Sequence, residues 1–392
     1  MPDVQTDTAP PSPIPARPTT GSPARQLVLL GAGHAHVHVL AQMAQSPWAG
    51  AQVTLVAPYS RQMYSGMVPG FIAGHYALDD CVIPLEHFVQ RSGIRWIQAS
   101  ARGLDAHTRT LALDDGSSLR YDWLSVNTGP VQDRVALEAA LPGAREHALF
   151  VRPIEVFGKL WPQVAAMGDR RALRICVIGA GAAGIEIALA IRQRLPNSAL
   201  TLLCGNAAPG ANYGVTVQTR IKAKLQQRKV TVIQDQAAGM RAGEVVLASG
   251  ATLACDVPVL ATGAQAPGWL KESGLALDSA GFVAVDACQR STSHPQVFAA
   301  GDVSTRTDRP LARSGVYAVR AGPVLAKNLC ATLAGQPLME HQPPAHTLNL
   351  LACGDRTAIA SWGNSSAQGR WVWWLKDWID RRFIQRYTAP AA

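Results

Sequence analysis

Gly31 and Gly33, in Gly31-Ala-Gly33-His-Ala-His36, and Gly179, Gly181 and Gly184, in Gly179-Ala-Gly181-Ala-Ala-Gly184, are spaced to cradle phosphate. Each group follows an apolar run that reads as a buried parallel strand, Gln26–Leu30 and Leu173–Ile178, and each opens a helix-compatible stretch. A glycine turn between strand and helix lets the backbone approach a pyrophosphate, whose charge the helix N-terminus favours. Short glycine patterns arise by chance, so one alone would carry little weight. Two in strand–turn–helix context, with Phe298-Ala-Ala-Gly-Asp302 downstream, imply two dinucleotides, one flavin and one nicotinamide. Two such cofactors on one chain mean electron transfer.

No other constellation competes. The seven cysteines (Cys81, Cys176, Cys204, Cys255, Cys288, Cys330 and Cys353) are scattered and include no C-x-x-C pair. They write neither a zinc site nor a local redox disulfide, and they fit a reducing cytoplasm. His34 and His38 could share a helical face as metal ligands do, but no third ligand or general-base glutamate accompanies them. They read as polar residues at the start of a cofactor-binding helix, and no metal is expected. No nucleophilic triad or dyad is visible, consistent with a flavin carrying the chemistry.

The elements that position these residues form an α/β chain. Its 392 residues are enough for two domains plus extensions, and 48% hydrophobic content supports buried sheets. No apolar run is long enough to span a membrane. The formal charge of +9 comes without a nucleic-acid recognition motif, so anionic lipid or anionic cofactors account for it better. Residues 1–24, rich in Pro, Thr, Ser and Ala, read as a disordered tail. From Gln26 the pattern is strand, glycine turn, helix His34–Gln45 and strand Gln52–Val56, then a turn-rich loop Tyr64-Ser-Gly-Met-Val-Pro-Gly70. Short strands follow over 94–129, with a hairpin around Asp114-Asp-Gly116. They end in Trp123-Leu-Ser-Val-Asn-Thr-Gly129, which recurs as Val257-Pro-Val-Leu-Ala-Thr-Gly263. The chain therefore carries an internal duplication of strand, fingerprint and Thr-Gly strand.

Because Gly301-Asp302 has no fingerprint of its own, the second nucleotide domain is inserted in the first. The expected organisation is two Rossmann-like domains: 25–150 and 276–334 for FAD, 151–275 for NAD(P)H, and a C-terminal region over 335–392. Gln296–Asp302 supplies a strand and Ser314–Leu333 a helix. The last region reads as strands over 346–363 and then a Trp-rich helix. At helical spacing Trp371, Val372, Trp374, Leu375, Trp378, Ile379 and Phe383 share one broad face, with Asp377, Asp380 and Arg381 away from it. Five basic residues (Arg370, Lys376, Arg381, Arg382 and Arg386) flank that face, and tryptophan favours a lipid interface. The rival reading is a core helix.

These motifs resemble the flavoproteins with two dinucleotide-binding domains, and within them the type II NAD(P)H:quinone oxidoreductases. The branch most similar is one that also occurs fused to selenophosphate synthetases and includes a plant plastid prenylquinone reductase. The matching segments are Gly31–Leu40, Tyr64–Gly70, Ser314-Gly-Val-Tyr-Ala-Val-Arg-Ala-Gly-Pro323, Cys353-Gly-Asp-Arg-Thr-Ala-Ile-Ala-Ser-Trp362 and the Arg370–Arg382 tail. The resemblance implies that Gly31, Gly33 and the helix opened by His34 hold the FAD pyrophosphate. Gly301 and Asp302 would bind the ribityl or phosphate region, with Thr128-Gly129 near the adenine half. Ser65 and Gly66, in the Tyr64–Gly70 loop, would approach the isoalloxazine, and the Tyr317–Gly322 turn would lie beside the flavin on the quinone side. Gly179, Gly181 and Gly184 would hold the NAD(P)H pyrophosphate, with Thr262-Gly263 in the equivalent place to Thr128-Gly129. Glu186 resembles a family glutamate close to nicotinamide and flavin.

Three departures stand out. His36 occupies the third glycine position of the first fingerprint, where helix and strand then cannot pack as closely. The strand Gln52–Val56 ends in Ala57-Pro58, and Ala199–Leu203 ends in Cys204-Gly205, each without the acid that usually holds the adenine ribose. The implied function is electron transfer from NAD(P)H through FAD to a quinone or other small acceptor. The enzyme would be cytoplasmic, at the inner face of the cell membrane through its C-terminal helix, with no nucleic-acid partner and homodimerisation left open. One alternative is sulfide:quinone oxidoreduction, which needs cysteines near the flavin that Asn127–Pro130 does not supply. The other is a flavin redox sensor or an accessory protein of selenium metabolism.

Overall fold

A computed structural model describes residues 25–48 and 50–388, so the tail over 1–24 lies outside it. Two five-stranded parallel sheets have the same spatial order. In the first, the neighbours run Val297–Ala299, Trp123–Val126, Arg25–Leu30, Ala51–Val56 and Arg95–Ile97. In the second they run Leu149–Phe150, Val257–Leu260, Arg174–Ile178, Ala199–Leu203 and Thr231–Ile233. Unbroken apolar runs suit strands covered on both faces, and Leu27, Leu29, Val177 and Val259 are buried accordingly. Leu149–Phe150 joins the second sheet by pairing with Val259 and Leu260.

The duplication extends beyond the fingerprints. Each copy makes a three-stranded antiparallel excursion, Ala101–Asp105, Thr110–Leu113 and Ser118–Arg120 in one, and Ala237–Arg241, Glu244–Leu247 and Thr252–Ala254 in the other. The register slips at the same place in both, between Ala101 and Gly103 and between Ala237 and Gly239. A bulge adds local twist, and each excursion carries the same one.

Two segments differ from the sequence expectation. Tyr64–Gly70 is mostly helical, a 3-10 turn over Ser65–Met67 running into the helix Val68–Ile72. Pro69 in the first turn is preset for a helix, and Val68, Phe71 and Ile72 bury themselves beside the second fingerprint helix, Ala182–Arg194. Tyr317–Gly322, which the resemblance makes a turn, lies within the helix Gly315–Leu333, as the Ser314–Leu333 pattern implies. Its small residues let it close on the first fingerprint helix, where a Cβ on Gly322 would lie 2.9 Å from His38 Cβ.

The C-terminal region joins both halves. Its antiparallel strands Asn349–Ala352, Ala358–Trp362 and Ser365–Gly369 pack on the second fingerprint helix, where Gly354 (φ +80°) meets the Leu189 carbonyl closely enough to exclude a side chain. The helix Arg370–Thr388 then lies beside the first fingerprint helix. Its apolar residues do not share one face. Val372, Phe383, Ile384 and Tyr387 are buried, whereas Trp371, Trp374 and Trp378 are 57%, 60% and 56% exposed. Asp380, expected outside, is buried with Lys376 at 2.7 Å, because an ion pair neutralises both. Lys376 is therefore not a headgroup-facing base, and Arg381 is paired with Asp377 at 3.0 Å. Among the described residues no helix is long and apolar enough to cross a membrane.

Candidate dinucleotide sites

In the second fingerprint the glycines divide into two kinds. Gly179 (φ +114°) and Gly184 are needed by the fold, because a Cβ on either would run into the Ala261 or Gly179 carbonyl. Gly181 is not. Its backbone is extended at φ −72° and ψ −178°, and a Cβ there would meet nothing within 4 Å. No side chain caps the helix Ala182–Arg194. Gly263 borders open space too, and the buried Thr262 hydroxyl has no partner among the described residues. An uncapped helix N-terminus, an open cradle and an orphaned hydroxyl fit a pyrophosphate. At the ribose end, Cys204 turns its thiol back toward the Leu202 carbonyl at 3.7 Å, and Gly205 follows at φ +66°.

The first fingerprint is built differently. Gly31 (φ +86°) and Gly33 sit against Asn127 and Thr128, where a Cβ would fall 2.6–2.7 Å from their atoms. His36 fits the third glycine position because its buried ring is bonded on both sides, Nδ1 to the Gly31 carbonyl at 2.6 Å and Nε2 to the Ser125 hydroxyl at 2.8 Å. Thr128 Oγ1 donates to the Gly129 carbonyl at 3.2 Å, and Gly129 (φ +70°) faces open space. Gly301 (φ +73°) brings Asp302 to the same region. Burial raises the Asp302 carboxyl, while Arg152 and Arg313 pull it back.

Arg152 was not singled out by the sequence. It lies where the chain crosses between the sheets, just after Leu149–Phe150, in no recognised motif; a lone arginine before Pro153 was the only signal. Arg152 is half-buried, and its guanidinium forms no hydrogen bond or ion pair among the described residues. Burial lowers its pKa, opposed by the nearby Asp302 and Glu155 carboxylates. His34 is close by, its pKa lowered to about 4 by burial and by Arg152, and its buried Nε2 is also without a partner there. An unpaired, half-buried cation beside a buried ring nitrogen without a partner fits an anionic ligand across the first fingerprint. Ser65 lies by Gly315, next to Ser314, whose buried hydroxyl is likewise unpartnered; Tyr317 occupies the first turn of that helix, half-buried.

Glu186, Gly66 and the C-terminal helix converge between the two fingerprints. The Ala352 N–H donates to Glu186 Oε1 at 2.7 Å. Burial pushes the Glu186 carboxyl up to about 7, against the pull of the Lys376 ammonium and that amide. Lys376 Nζ donates to the Gly66 carbonyl and to Asp380, both at 2.7 Å. Tyr64 stacks on Phe383 with ring centres 4.3 Å apart, and burial together with Asp380 raises its phenol well above the ordinary range. In sequence Lys376 and Asp380 look like solvent-facing charges of an amphipathic helix, whereas here they pair inside.

All seven cysteines are free thiols. Cys353, next to the Glu186 contact, is pushed up to about 12 by burial. Among the described residues no cluster of ligands could hold a metal.

The profile of the pyridine nucleotide-disulphide oxidoreductase family matches residues 25–322. The chain belongs to that family. Its members use FAD and NAD(P)H. A probable ferredoxin reductase of Castellaniella defragrans is 27% identical over 346 residues, which is 81% of this chain and 78% of that one. A type II NADH:quinone oxidoreductase of Staphylococcus saprophyticus is 22% identical over 403 residues, 92% of this chain and 95% of that one. The fold is that of the sulfide:quinone oxidoreductase of Aquifex aeolicus, with a TM-score of 0.74 at 15% identity, covering 94% and 93% of the two chains. The chain is thus an oxidoreductase of Rossmann-like α/β fold.

Proposed function

We propose that this oxidoreductase takes electrons from NAD(P)H at the second fingerprint and passes them, through FAD at the first, to a quinone. When bound, FAD would supply the two-electron chemistry. The observation that carries the reading is the convergence on the Gly66 loop and the C-terminal helix of Glu186 from the second fingerprint helix and of His34 from the first, whose ring lies against Tyr64 and Phe383. The first fingerprint offers the unpaired Arg152 and His34, suited to a tightly held dinucleotide. The second offers open amides at Gly181, suited to one that exchanges. Reducing a quinone to a quinol takes two protons, of which a hydride brings one. Glu186, whose carboxyl is raised to about 7 by burial, would hold the other.

The exposed Trp371, Trp374 and Trp378 support docking on an anionic membrane, where a long-tailed quinone resides. The sulfide reading is not favoured, because Cys353 and Cys81, the thiols beside Glu186 and Asp380, are buried and form no disulfide. The likeness to a probable ferredoxin reductase makes a ferredoxin-type protein the second acceptor to test.

The test is anaerobic mixing of purified protein with NADH and with NADPH, followed by a short-chain quinone. Flavin absorbance should bleach and then return on quinone addition. Bleaching that only a ferredoxin reverses would transfer the reading to ferredoxin reduction, and a single unreversed bleaching would leave a sensor.

Glu186→Gln should flatten the pH dependence of quinone reduction, which in the wild type should turn over at about pH 7. The same variant has a stability signature. A carboxyl raised in the folded state binds a proton that the unfolded chain has already released. Its contribution to stability is therefore lost as pH climbs from the usual carboxylate range through about 7. The variant should gain melting temperature relative to wild type at about pH 8 but not at about pH 4. Equal pH profiles and equal melting differences at both pH values would make Glu186 an ordinary structural acid.

A further inference from the structure

The internal duplication supplies its own control. Aligning Trp123-Leu-Ser-Val-Asn-Thr-Gly129 with Val257-Pro-Val-Leu-Ala-Thr-Gly263 sets Ser125 against Val259 and Asn127 against Ala261, while His36 stands against Gly184. Three polar residues of the first copy thus replace two apolar residues and a glycine in the second. In the second copy, among the described residues, no side-chain hydrogen bond joins the glycine turn and its helix to Val257–Gly263; the contacts there are with the Ala261 carbonyl and methyl. In the first copy side chains do it.

Asn127 is buried and uses both ends of its amide. Its Oδ1 accepts from the Ala35 and His36 amides at 3.1 and 3.0 Å, capping the fingerprint helix. Its Nδ2 donates to the Ala300 carbonyl at 2.5 Å, one residue before Gly301-Asp302. Its own carbonyl accepts from the Gly33 amide at 3.0 Å. One residue therefore ties together the fingerprint helix, the Thr128-Gly129 strand end and the Asp302 turn. Since a carbonyl only accepts, His36 Nδ1 carries the hydrogen toward Gly31, and Nε2 accepts from the Ser125 hydroxyl. Burial keeps that ring neutral.

We infer that Asn127, braced by His36 and Ser125, is the positioning residue of the flavin site, assembling its three segments before the dinucleotide arrives. The inference rests on the first fingerprint being the flavin site. A helix end already capped loses little freedom on binding, which favours a resident cofactor; the uncapped second site must order around a ligand that comes and goes. The residue must also stay uncharged. An aspartate could still accept from the helix amides, but it could not donate to Ala300, and it would set a negative charge beside a pyrophosphate.

The experiment measures FAD affinity and melting temperature on deflavinated protein, by flavin fluorescence quenching and thermal scanning, for the wild type and three variants. Asn127→Asp should keep the melting temperature within a few degrees yet raise the Kd for FAD at least tenfold. Asn127→Ala should lower both stability and affinity. Ser125→Ala, which only loosens the brace, should weaken FAD by a smaller factor. Wild-type FAD affinity in Asn127→Asp would overturn the inference, and so would an equal fall in melting temperature in the Asp and Ala variants, which would mark a purely structural cap. A folded wild type that takes up no FAD would instead sink the flavin assignment itself, and the inference with it.

Discussion

Gly181→Val should cut reduction by both NADH and NADPH by roughly a hundredfold or more while leaving the bound flavin reducible by dithionite. The argument turns on the difference between the glycines of one motif. At Gly181 the backbone is extended and the space ahead of it is open, so a branched residue can be accommodated without strain. The methyls then occupy the position a pyrophosphate needs, and losing its charged hydrogen bonds costs about 3 kcal/mol. The fold should not notice. Gly184→Ala is the contrasting variant, because its Cβ collides with the Gly179 carbonyl and should destabilise the second domain itself. Stopped-flow reduction and flavin content separate the outcomes. If Gly181→Val loses flavin instead, the two fingerprints have exchanged roles.

Replacing Trp371, Trp374 and Trp378 together by glutamine should release the protein from anionic liposomes. Each tryptophan that inserts fully contributes on the order of 1.5–3 kcal/mol, so three shallowly inserted ones change partitioning by about a thousandfold. Arg370, Arg382 and Arg386 would add on the order of 1 kcal/mol each where they meet headgroups, weakened by salt. Flavin content and turnover of a short soluble quinone should be unchanged, while the KM for a long-tailed quinone should rise. Truncation after Gly369 cannot make this test, because it also removes Lys376, Asp380 and Phe383 from the convergence of the two fingerprints. Intact protein that ignores liposomes at low salt would assign the tryptophans to another partner.

What the sequence made legible was whatever is written in backbone requirements. Gly31, Gly179 and Gly301 need positive φ, the apolar runs before them need burial on both faces, and the repeat of Thr-Gly reveals the duplicated sheet. The His34–Gln45 helix has the bounds that the pattern implied. What stayed hidden was the pairing of side chains distant in sequence. Asn127 reads as the end of an apolar strand until the Ala300 carbonyl is beside it, 173 positions away. Lys376 and Asp380 read as an exposed i,i+4 pair, and only the packed Gly66 carbonyl shows that they point inward. Helical periodicity failed on the C-terminal helix for a related reason. It cannot tell an apolar face that meets protein from one that meets something else, and this helix has both.

The strand order of the first sheet bears on how the chain is made. All five strands of the second sheet lie between 149 and 260, whereas the first sheet takes four from residues 25–126 and its edge strand from Val297–Ala299. A nascent chain leaving the ribosome can therefore complete its later-encoded sheet before its earlier one. Until residue 299 emerges, the Trp123–Val126 strand has an open edge and the Asn127 amide lacks its acceptor at Ala300. The whole of the second sheet is encoded within that interval. No fragment ending before Val297 holds a complete first sheet, so a chain cut there should leave the Trp123–Val126 edge unpaired.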